Sequence, residues 1–216
     1  MFSQVKNIFF DFDGVILDSV DCKTQAFEKM YSKYGNDIAK KVKKYHLDNG
    51  GVSRFEKFRF WHKEYLGISL NEDEINEMAQ EFSKLVYHKV IESKEIPGVM
   101  HFIKSNHKKL KFWIITGTPT KEILKIVNHL QLDDYFLASY GSPEKKIFWT
   151  EKIISKQNLD RRQTLFIGDA STDYEAAKYS SLKFALRKAD YNIDFFKNKD
   201  VFKFKHFDEL SKQLNL

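Results

Sequence analysis

The sequence predicts an α/β protein with a Rossmann-like, doubly wound parallel sheet and an inserted α-helical subdomain. Short apolar runs that suit buried strands alternate with segments of helical spacing, a pattern typical of parallel sheets. Between residues 19 and 92 the alternation stops, because only helical patterns occur there. The strand candidates are residues 5–10, 111–115, 135–139, 164–167 and 182–186.

The insertion divides the chain into a core domain of residues 1–18 and 94–216 and a helical segment of residues 19–93. Within that segment, apolar residues at i, i+3 and i+4 predict an amphipathic helix between Ile75 and Val90. A chain of 216 residues is long enough for a packed core with a smaller insertion.

Composition narrows the classes of protein to which the chain can belong. Cys22 is the single cysteine, the N-terminal segment lacks a signal-peptide pattern, and no apolar run approaches the roughly 18 residues of a membrane span. The net charge of +6 would attract phosphate esters, but scattered lysines do not form a nucleic-acid-binding stripe. We therefore expect a cytoplasmic protein without membrane or nucleic-acid partners, and its oligomeric state stays open.

Two acids follow the first strand candidate. Asp11 and Asp13 lie two residues apart at its carboxyl end, so both side chains project on the same side of the backbone. Such close carboxylates repel each other, and a retained proton or a divalent cation relieves the repulsion. Both outcomes are useful in phosphoryl transfer, whereas a simple turn at Asp13 and Gly14 is the structural alternative.

A second strand candidate, residues 111–115, also ends in polar residues. Thr116 offers a hydroxyl and Gly117 a free backbone N–H, and both groups can bind phosphate oxygens. The structural alternative is an ordinary helix start, in which Thr118 caps a helix that begins at Pro119. Both interpretations can hold, because they concern different hydroxyls.

A third strand candidate, residues 164–167, delivers Asp169 to its end, and Asp173 follows about one helical turn later. Mg²⁺ prefers oxygen ligands, and the carboxylates of Asp11 and Asp169 with the backbone carbonyl of Asp13 could supply them. Stabilising a helix N-terminus would explain either later acid alone. It would not explain polar residues after three strands, at the edge where open α/β sheets bind ligands.

Together these elements resemble the haloacid dehalogenase superfamily, particularly its phosphoglycolate phosphatase and β-phosphoglucomutase group. The chain matches the family in residue type, order and spacing at Asp11-Phe12-Asp13-Gly14, Asp18-Ser19, Thr116-Gly117 and Gly168-Asp169 to Asp173. The family's lysine falls at Lys146 or Lys145. We favour Lys146 because it directly precedes a predicted helix, although the family's usual Lys-Pro pair is absent.

The resemblance implies a magnesium-dependent phosphohydrolase that acts on a small phosphorylated metabolite. It assigns Asp11 as the nucleophile that forms an aspartyl-phosphate and Asp13 as the general acid and base. Thr116, Gly117 and Lys146 would bind the phosphate, and Mg²⁺ would be held by Asp11, Asp13, Asp169 and Asp173. A phosphomutase is the alternative with the same chemistry, and a non-catalytic module that binds a phosphorylated ligand is the alternative of another class.

In this family the helical insertion closes over the site as a cap, so it would select the substrate. Gly51 and Arg54 are the substrate-binding candidates, since Arg54 could bind a carboxylate or second phosphate through two hydrogen bonds. The structural alternative is a helix capped by Ser53 with Arg54 in solvent. Secondary candidates in the insertion are His46, Lys57 and His62.

Overall fold

The computed structural model describes residue 2 and residues 4–216. Within this part of the chain, six parallel strands form one sheet: β1 (Asn7–Phe10), β2 (Lys111–Pro119), β3 (Ala138–Ser142), β4 (Thr164–Gly168), β5 (Lys183–Arg187) and β6 (Phe202–Phe204). Their order in the sheet is β3-β2-β1-β4-β5-β6. This arrangement confirms the predicted doubly wound α/β fold.

The helices fall into two groups. The insertion contains α1 (Val20–Tyr31), α2 (Asn36–Asp48), α3 (Arg54–Trp61) and α4 (Glu72–Ile91). The core contains α5 (Val99–Asn106), α6 (Thr120–His129), α7 (Lys146–Gln157), α8 (Ser171–Tyr179), α9 (Ile193–Phe196) and α10 (Phe207–Leu214). In the described residues, none of these helices combines the length and apolarity that crossing a membrane requires.

The central strand β1 is buried on both faces of the sheet, as its unbroken apolar sequence predicts. Ile8 and Phe10 belong to the core beneath α5, α6 and α10, whereas Phe9 belongs to the core beneath α7, α8 and α9. Neighbouring side chains of a strand point to opposite faces, which explains this division. The two helix layers leave the carboxyl edge of the sheet as the place where polar side chains gather.

The chain enters and leaves the insertion through two adjacent segments. The backbone N–H of Asp18 donates to the carbonyl of Lys94 at 2.8 Å, and the N–H of Ile96 donates to the carbonyl of Ile16 at 2.9 Å. These bonds join the chain at the two predicted boundaries. The division into two domains remains a prediction.

The strand predictions were wrong in two places. Residues 135–139 were expected to form a strand, but Asp133–Tyr135 is a 3₁₀ turn and β3 begins only at Ala138, which pairs with Trp113 of β2. Leu137, which contributed to the apolar run, is 61 % exposed. The three-residue strand β6 was not predicted at all. Pairing with a neighbouring strand defines both elements, and hydrophobicity alone does not report that pairing.

We expect Phe102→Ala to lower the free energy of unfolding by about 3–5 kcal/mol. Phe102 of α5 is 1 % exposed and packs against Phe10 and Phe112 of the sheet and Phe207 of α10, so its removal leaves a cavity between two layers. Urea unfolding of the two proteins measures the loss. Tyr179→Ala, at a 68 % exposed position, is the control and should change stability by about 0.5 kcal/mol or less. Equal losses in the two variants would contradict the packing argument.

Candidate active site

The carboxyl ends of β1, β2 and β4 meet at one edge of the sheet. Because β1 lies between β2 and β4, residues at the ends of these strands become neighbours. Asp11 follows β1, Thr116 lies in β2 and Asp169 follows β4, and the three side chains are buried and line one pocket. The structure thus brings together three elements that lie far apart in the sequence.

Three carboxylates form the centre of this site. Asp11, Asp169 and Asp173 can each place an oxygen within 4.8 Å of the others. Burial, followed by the charges of the neighbouring acids, raises the pKa of Asp169 well above its usual range. Burial and the charge of Asp11 raise the pKa of Asp173 to about 7. Asp11 Oδ1 is buried and has no hydrogen-bond partner in the described structure.

One lysine lies among these acids. Lys146 Nζ is 3.0 Å from Asp11 Oδ2 and 2.6 Å from Asp173 Oδ1. Burial alone would lower the pKa of Lys146, but the two carboxylates raise it, so the ammonium stays charged. Lys145 precedes α7 and is exposed. Three acids with one lysine leave negative charge uncompensated, and their oxygen atoms are the donors that a hard cation such as Mg²⁺ prefers.

Asp169 is held in place by residues that the sequence did not indicate. The Tyr191 hydroxyl donates to Asp169 Oδ2 at 2.5 Å, and Asn192 Nδ2 donates to the Asp169 carbonyl at 2.8 Å. Gly14 has a φ of +79°, and a Cβ there would lie 2.3 Å from Asp169 Oδ2. Only glycine fits this turn, because both its backbone conformation and its contact with Asp169 exclude a side chain.

Asp13 has a different environment from the acid cluster. Its carboxylate forms an ion pair with Lys23 and accepts hydrogen bonds from Ser19 Oγ at 2.6 Å and Thr118 Oγ1 at 3.0 Å. Burial by itself would raise the pKa of Asp13, but Lys23 and the two hydroxyls hold it below its usual value. Asp13 is therefore ionised in this arrangement.

The predicted helix cap at Thr118 was wrong. Strand β2 continues through Pro119, and α6 begins at Thr120 without a side-chain cap from Pro119. The Thr118 hydroxyl instead accepts a hydrogen bond from Lys23 Nζ at 2.8 Å. Thr116 remains beside it, because its Oγ1 accepts from the Thr118 backbone N–H at 3.2 Å. Both hydroxyls line the pocket.

The insertion lies directly against the site. Gly51 and Gly117 approach so closely that a Cβ on Gly117 would be 2.6 Å from the Gly51 carbonyl oxygen. The Thr172 hydroxyl also donates to the Gly50 carbonyl at 3.2 Å. The loop before α3 therefore covers the carboxyl edge of the sheet.

Arg54 lies neither in solvent nor free in the pocket. Ser53 caps α3 as expected, since its Oγ accepts from the Glu56 N–H at 3.3 Å, but Arg54 is 4 % exposed. Its guanidinium donates to the two carboxylate oxygens of Glu122 in α6 at 2.7 and 2.8 Å. It also donates to Ser83 Oγ of α4 at 2.6 Å. The solvent-exposed alternative for Arg54 was wrong, because Glu122 supplies a buried counter-ion that the local sequence does not reveal.

Lys23 and Tyr191 both contact predicted site residues but were missed. Lys23 lies four residues after Ser19, so helical spacing from the Asp18-Ser19 element could have indicated it. Tyr191 follows Asp169 by 22 residues and has no local signal. Among the secondary candidates, His46 and Lys57 line the pocket, whereas His62 contacts Tyr31 inside the insertion at 2.8 Å.

The chain is similar to known hydrolases of one family in both sequence and fold. A family model described as haloacid dehalogenase-like hydrolase matches residues 8–186. A phosphorylated carbohydrates phosphatase of Thermotoga maritima is 25 % identical over 186 residues, which cover 82 % of each chain. A phosphoglycolate phosphatase of Pseudomonas savastanoi pv. phaseolicola is 26 % identical over 199 residues, or 87 % of this chain and 71 % of the relative. The solved β-phosphoglucomutase of Clostridium difficile is similar in fold, with a TM-score of 0.75 and 20 % identity over 98 % of this chain and 97 % of that one.

We expect Glu122→Ala to lower the free energy of unfolding by roughly 3–5 kcal/mol, because Arg54 would stay buried without its counter-ion. Replacing both partners, as Arg54→Met with Glu122→Leu, should recover most of the loss. Chemical denaturation of the two variants and the parent protein measures these effects.

The control for that experiment is Glu72→Ala, which breaks the exposed ion pair between Glu72 of α4 and Arg59 of α3. We expect it to cost about 1 kcal/mol or less, because solvent screens the pair. A loss in Glu122→Ala no larger than that of the control would show that the buried pair does not join the insertion to the core.

Proposed function

Because this chain belongs to the haloacid dehalogenase-like hydrolases and is a phosphatase, we propose that it hydrolyses a small phosphorylated metabolite with Mg²⁺ through an aspartyl-phosphate on Asp11. The Asp11 carboxylate is the observation that carries this proposal. Lys146 lies beside its Oδ2, while its buried Oδ1 has no partner among the described residues. A carboxylate oriented in this way has one oxygen available for a new contact.

The proposed reaction has two steps. An Asp11 oxygen bonds to phosphorus while the bond from phosphorus to the substrate's leaving oxygen breaks, and Asp13 gives that oxygen a proton. A water molecule then attacks phosphorus and passes its proton to Asp13. The bond between Asp11 and phosphorus breaks, which releases phosphate and restores both carboxyl groups.

The environment of Asp13 fits the second step directly, because an ionised carboxylate can accept the proton of water. The first step requires a protonated Asp13, whereas Lys23, Ser19 and Thr118 stabilise its charge. We therefore expect the contact between Lys23 and Asp13 to loosen when a substrate enters. Both residues line the pocket, so a substrate that enters it would lie beside this contact.

Three groups would hold the transferred phosphoryl group. Lys146 keeps its charge between two acids, the Thr116 hydroxyl lies in the same pocket, and the Gly117 backbone N–H follows it. These donors would bind the oxygens on which negative charge increases during transfer. Their burial strengthens each interaction, because little water screens it.

The carboxylates of Asp11 and Asp169, with the backbone carbonyl of Asp13, would hold Mg²⁺. Asp173 completes the acid cluster and holds Lys146, and its second oxygen accepts from the Ala170 N–H at 3.1 Å. When bound, the ion would supply positive charge to the phosphoryl oxygens. The helical segment 19–93 would act as the cap, since its loop at Gly51 already covers the site and would exclude water.

We expect Asp11→Asn to lower kcat for phosphate release by about 10³-fold or more, because the amide cannot form the acyl phosphate. Phosphate release from a panel of monoesters in the presence of Mg²⁺ measures the effect. Asp134→Asn, at a solvent-exposed position outside the insertion, is the matched control and should behave like the parent protein. Normal turnover by Asp11→Asn would refute the nucleophile. Interconversion of sugar phosphates without release would favour a phosphomutase, and inactivity on every ester would favour a binding module.

We also expect Mg²⁺ to raise the melting temperature of the protein, since the ion relieves repulsion among three buried acids. At 100 times its dissociation constant, a ligand that binds only the folded state stabilises it by about 2.7 kcal/mol. Thermal unfolding at increasing MgCl₂, against NaCl of equal ionic strength, measures the shift. Asp169→Asn should remove most of it. An equal shift in that variant would place the metal elsewhere.

A further inference from the structure

The insertion supplies three cationic side chains to the pocket: Lys23, Arg54 and Lys57. Two of them already have carboxylate partners, because Lys23 pairs with Asp13 and Arg54 pairs with Glu122. The guanidinium of Arg54 uses two hydrogen bonds for Glu122 and is further held by the Ser83 hydroxyl. Neither cation is left with an unmatched charge.

Lys57 is different. It is 1 % exposed, and in the described structure no carboxylate lies within ion-pair distance of its ammonium group. Its Nζ lies 2.7 Å from Nδ1 of His46, and the other ring nitrogen, Nε2, is buried without a hydrogen-bond partner. A buried ammonium has three donors to satisfy, and a single imidazole acceptor leaves most of that capacity unused.

The electrostatics of this pair agree with the geometry. Burial is the main reason that the pKa of Lys57 falls to about 7. The charge of Lys23 lowers it further, the charge of Asp13 partly offsets this effect, and the charges of Lys146 and Arg54 add to the lowering. Burial, with the charge of Lys57, lowers the pKa of His46 well below its usual range. The charged forms are therefore costly in this site, and an anion placed beside Lys57 would remove that cost.

The two ends of the pocket carry opposite excess charges. At the core end, three carboxylates share one lysine, so the site lacks positive charge. At the insertion end, no carboxylate of the described residues lies within ion-pair distance of Lys57, and only the more distant charge of Asp13 partly offsets its charge. Apolar side chains line the part of the pocket contributed by the insertion: Val20, Phe27, Leu47, Val52 and Phe82.

We propose that Lys57 and His46 bind a second anionic group of the substrate, a carboxylate or a further phosphate, while the phosphoryl group lies at the acid cluster. Lys57 would donate to the anion directly, and His46 would orient the ammonium. Arg54, the residue favoured by the sequence, is instead engaged by Glu122 in joining the insertion to the core. This inference rests on the proposed function and narrows the substrate to short phosphate monoesters with an anionic end.

The test uses two esters that differ only at the far end, 2-phosphoglycolate and 2-hydroxyethyl phosphate. In the wild-type protein with Mg²⁺, we expect kcat/KM to be about 10-fold or more higher for the carboxylate ester, because a buried ionic contact discriminates strongly against its neutral analogue. Lys57→Met should bring the ratio of the two kcat/KM values close to one. Lys63→Met, an exposed lysine shortly after α3, is the matched control and should keep the wild-type ratio.

A second pair, 1,3-propanediol bisphosphate and 3-hydroxypropyl phosphate, distinguishes a phosphate from a carboxylate as the anionic group. A preference that depends on Lys57 in only one pair identifies the group that fits. The absence of a preference in both pairs would overturn the inference, as would a Lys57→Met variant that loses both members of a pair equally.

Thermal unfolding separates binding from a structural role. Lys57→Met removes an uncompensated buried charge with little change in volume, so its melting temperature should equal or exceed that of the wild type. A clearly lower melting temperature, with the ester ratio unchanged, would show that Lys57 only supports the fold.

Calorimetry in the Asp11→Asn background measures binding without turnover and keeps the two proposals apart. We expect 2-phosphoglycolate to bind about 10-fold or more tightly than 2-hydroxyethyl phosphate, and adding Lys57→Met should abolish the difference. A wild type that hydrolyses both esters equally would refute the anionic subsite alone. A protein that binds with the expected preference but hydrolyses neither ester would refute the proposed function alone.

Discussion

Repulsion among buried carboxylates is the constraint on which this site depends. Asp11, Asp169 and Asp173 meet because β1 and β4 are parallel neighbours and only two residues separate β4 from α8. All three side chains are buried, so little water screens their charges. Lys146 offsets part of the repulsion. Burial first, and then the charge of Asp11, still raise the pKa values of Asp169 and Asp173.

The insertion intensifies these effects because it is in contact with the sheet edge. The approach of Gly51 to Gly117 leaves no space for a side chain at that point. A covered pocket lowers the local dielectric constant, which strengthens contacts between charges and a substrate. The same burial makes an unpaired cation such as Lys57 costly. Buried charges that lower stability are typical of functional sites, where residues that bind a ligand are kept at the expense of stability.

Arg54 and Lys57 lie one helical turn apart on α3 but have different environments. The planar guanidinium of Arg54 matches the two oxygens of Glu122, so this ion pair is complete without a ligand. The Lys57 ammonium lies beside an imidazole nitrogen and over the Phe27 ring, and among the described residues it has no carboxylate within ion-pair distance. Charge alone therefore does not identify a binding residue. What matters is whether the protein already supplies the opposite charge.

The sequence by itself determined the α/β class, the helical nature of the insertion and the three polar elements at the strand ends. The strand and helix patterns are local, because they depend on the spacing of apolar residues that are close in sequence. Once alternating strands and helices predict a parallel sheet, the ends of its strands must lie at one carboxyl edge. Lys146 was preferred over Lys145 because it directly precedes the helix predicted from the sequence. In the structure it is the first residue of α7, and its side chain is buried among the acids. The tertiary structure alone decided where β3 begins, that β6 exists, and which residues hold the predicted acids. Thr118, Arg54 and Tyr191 each depend on a partner at least 22 residues away, and no local pattern encodes such a contact.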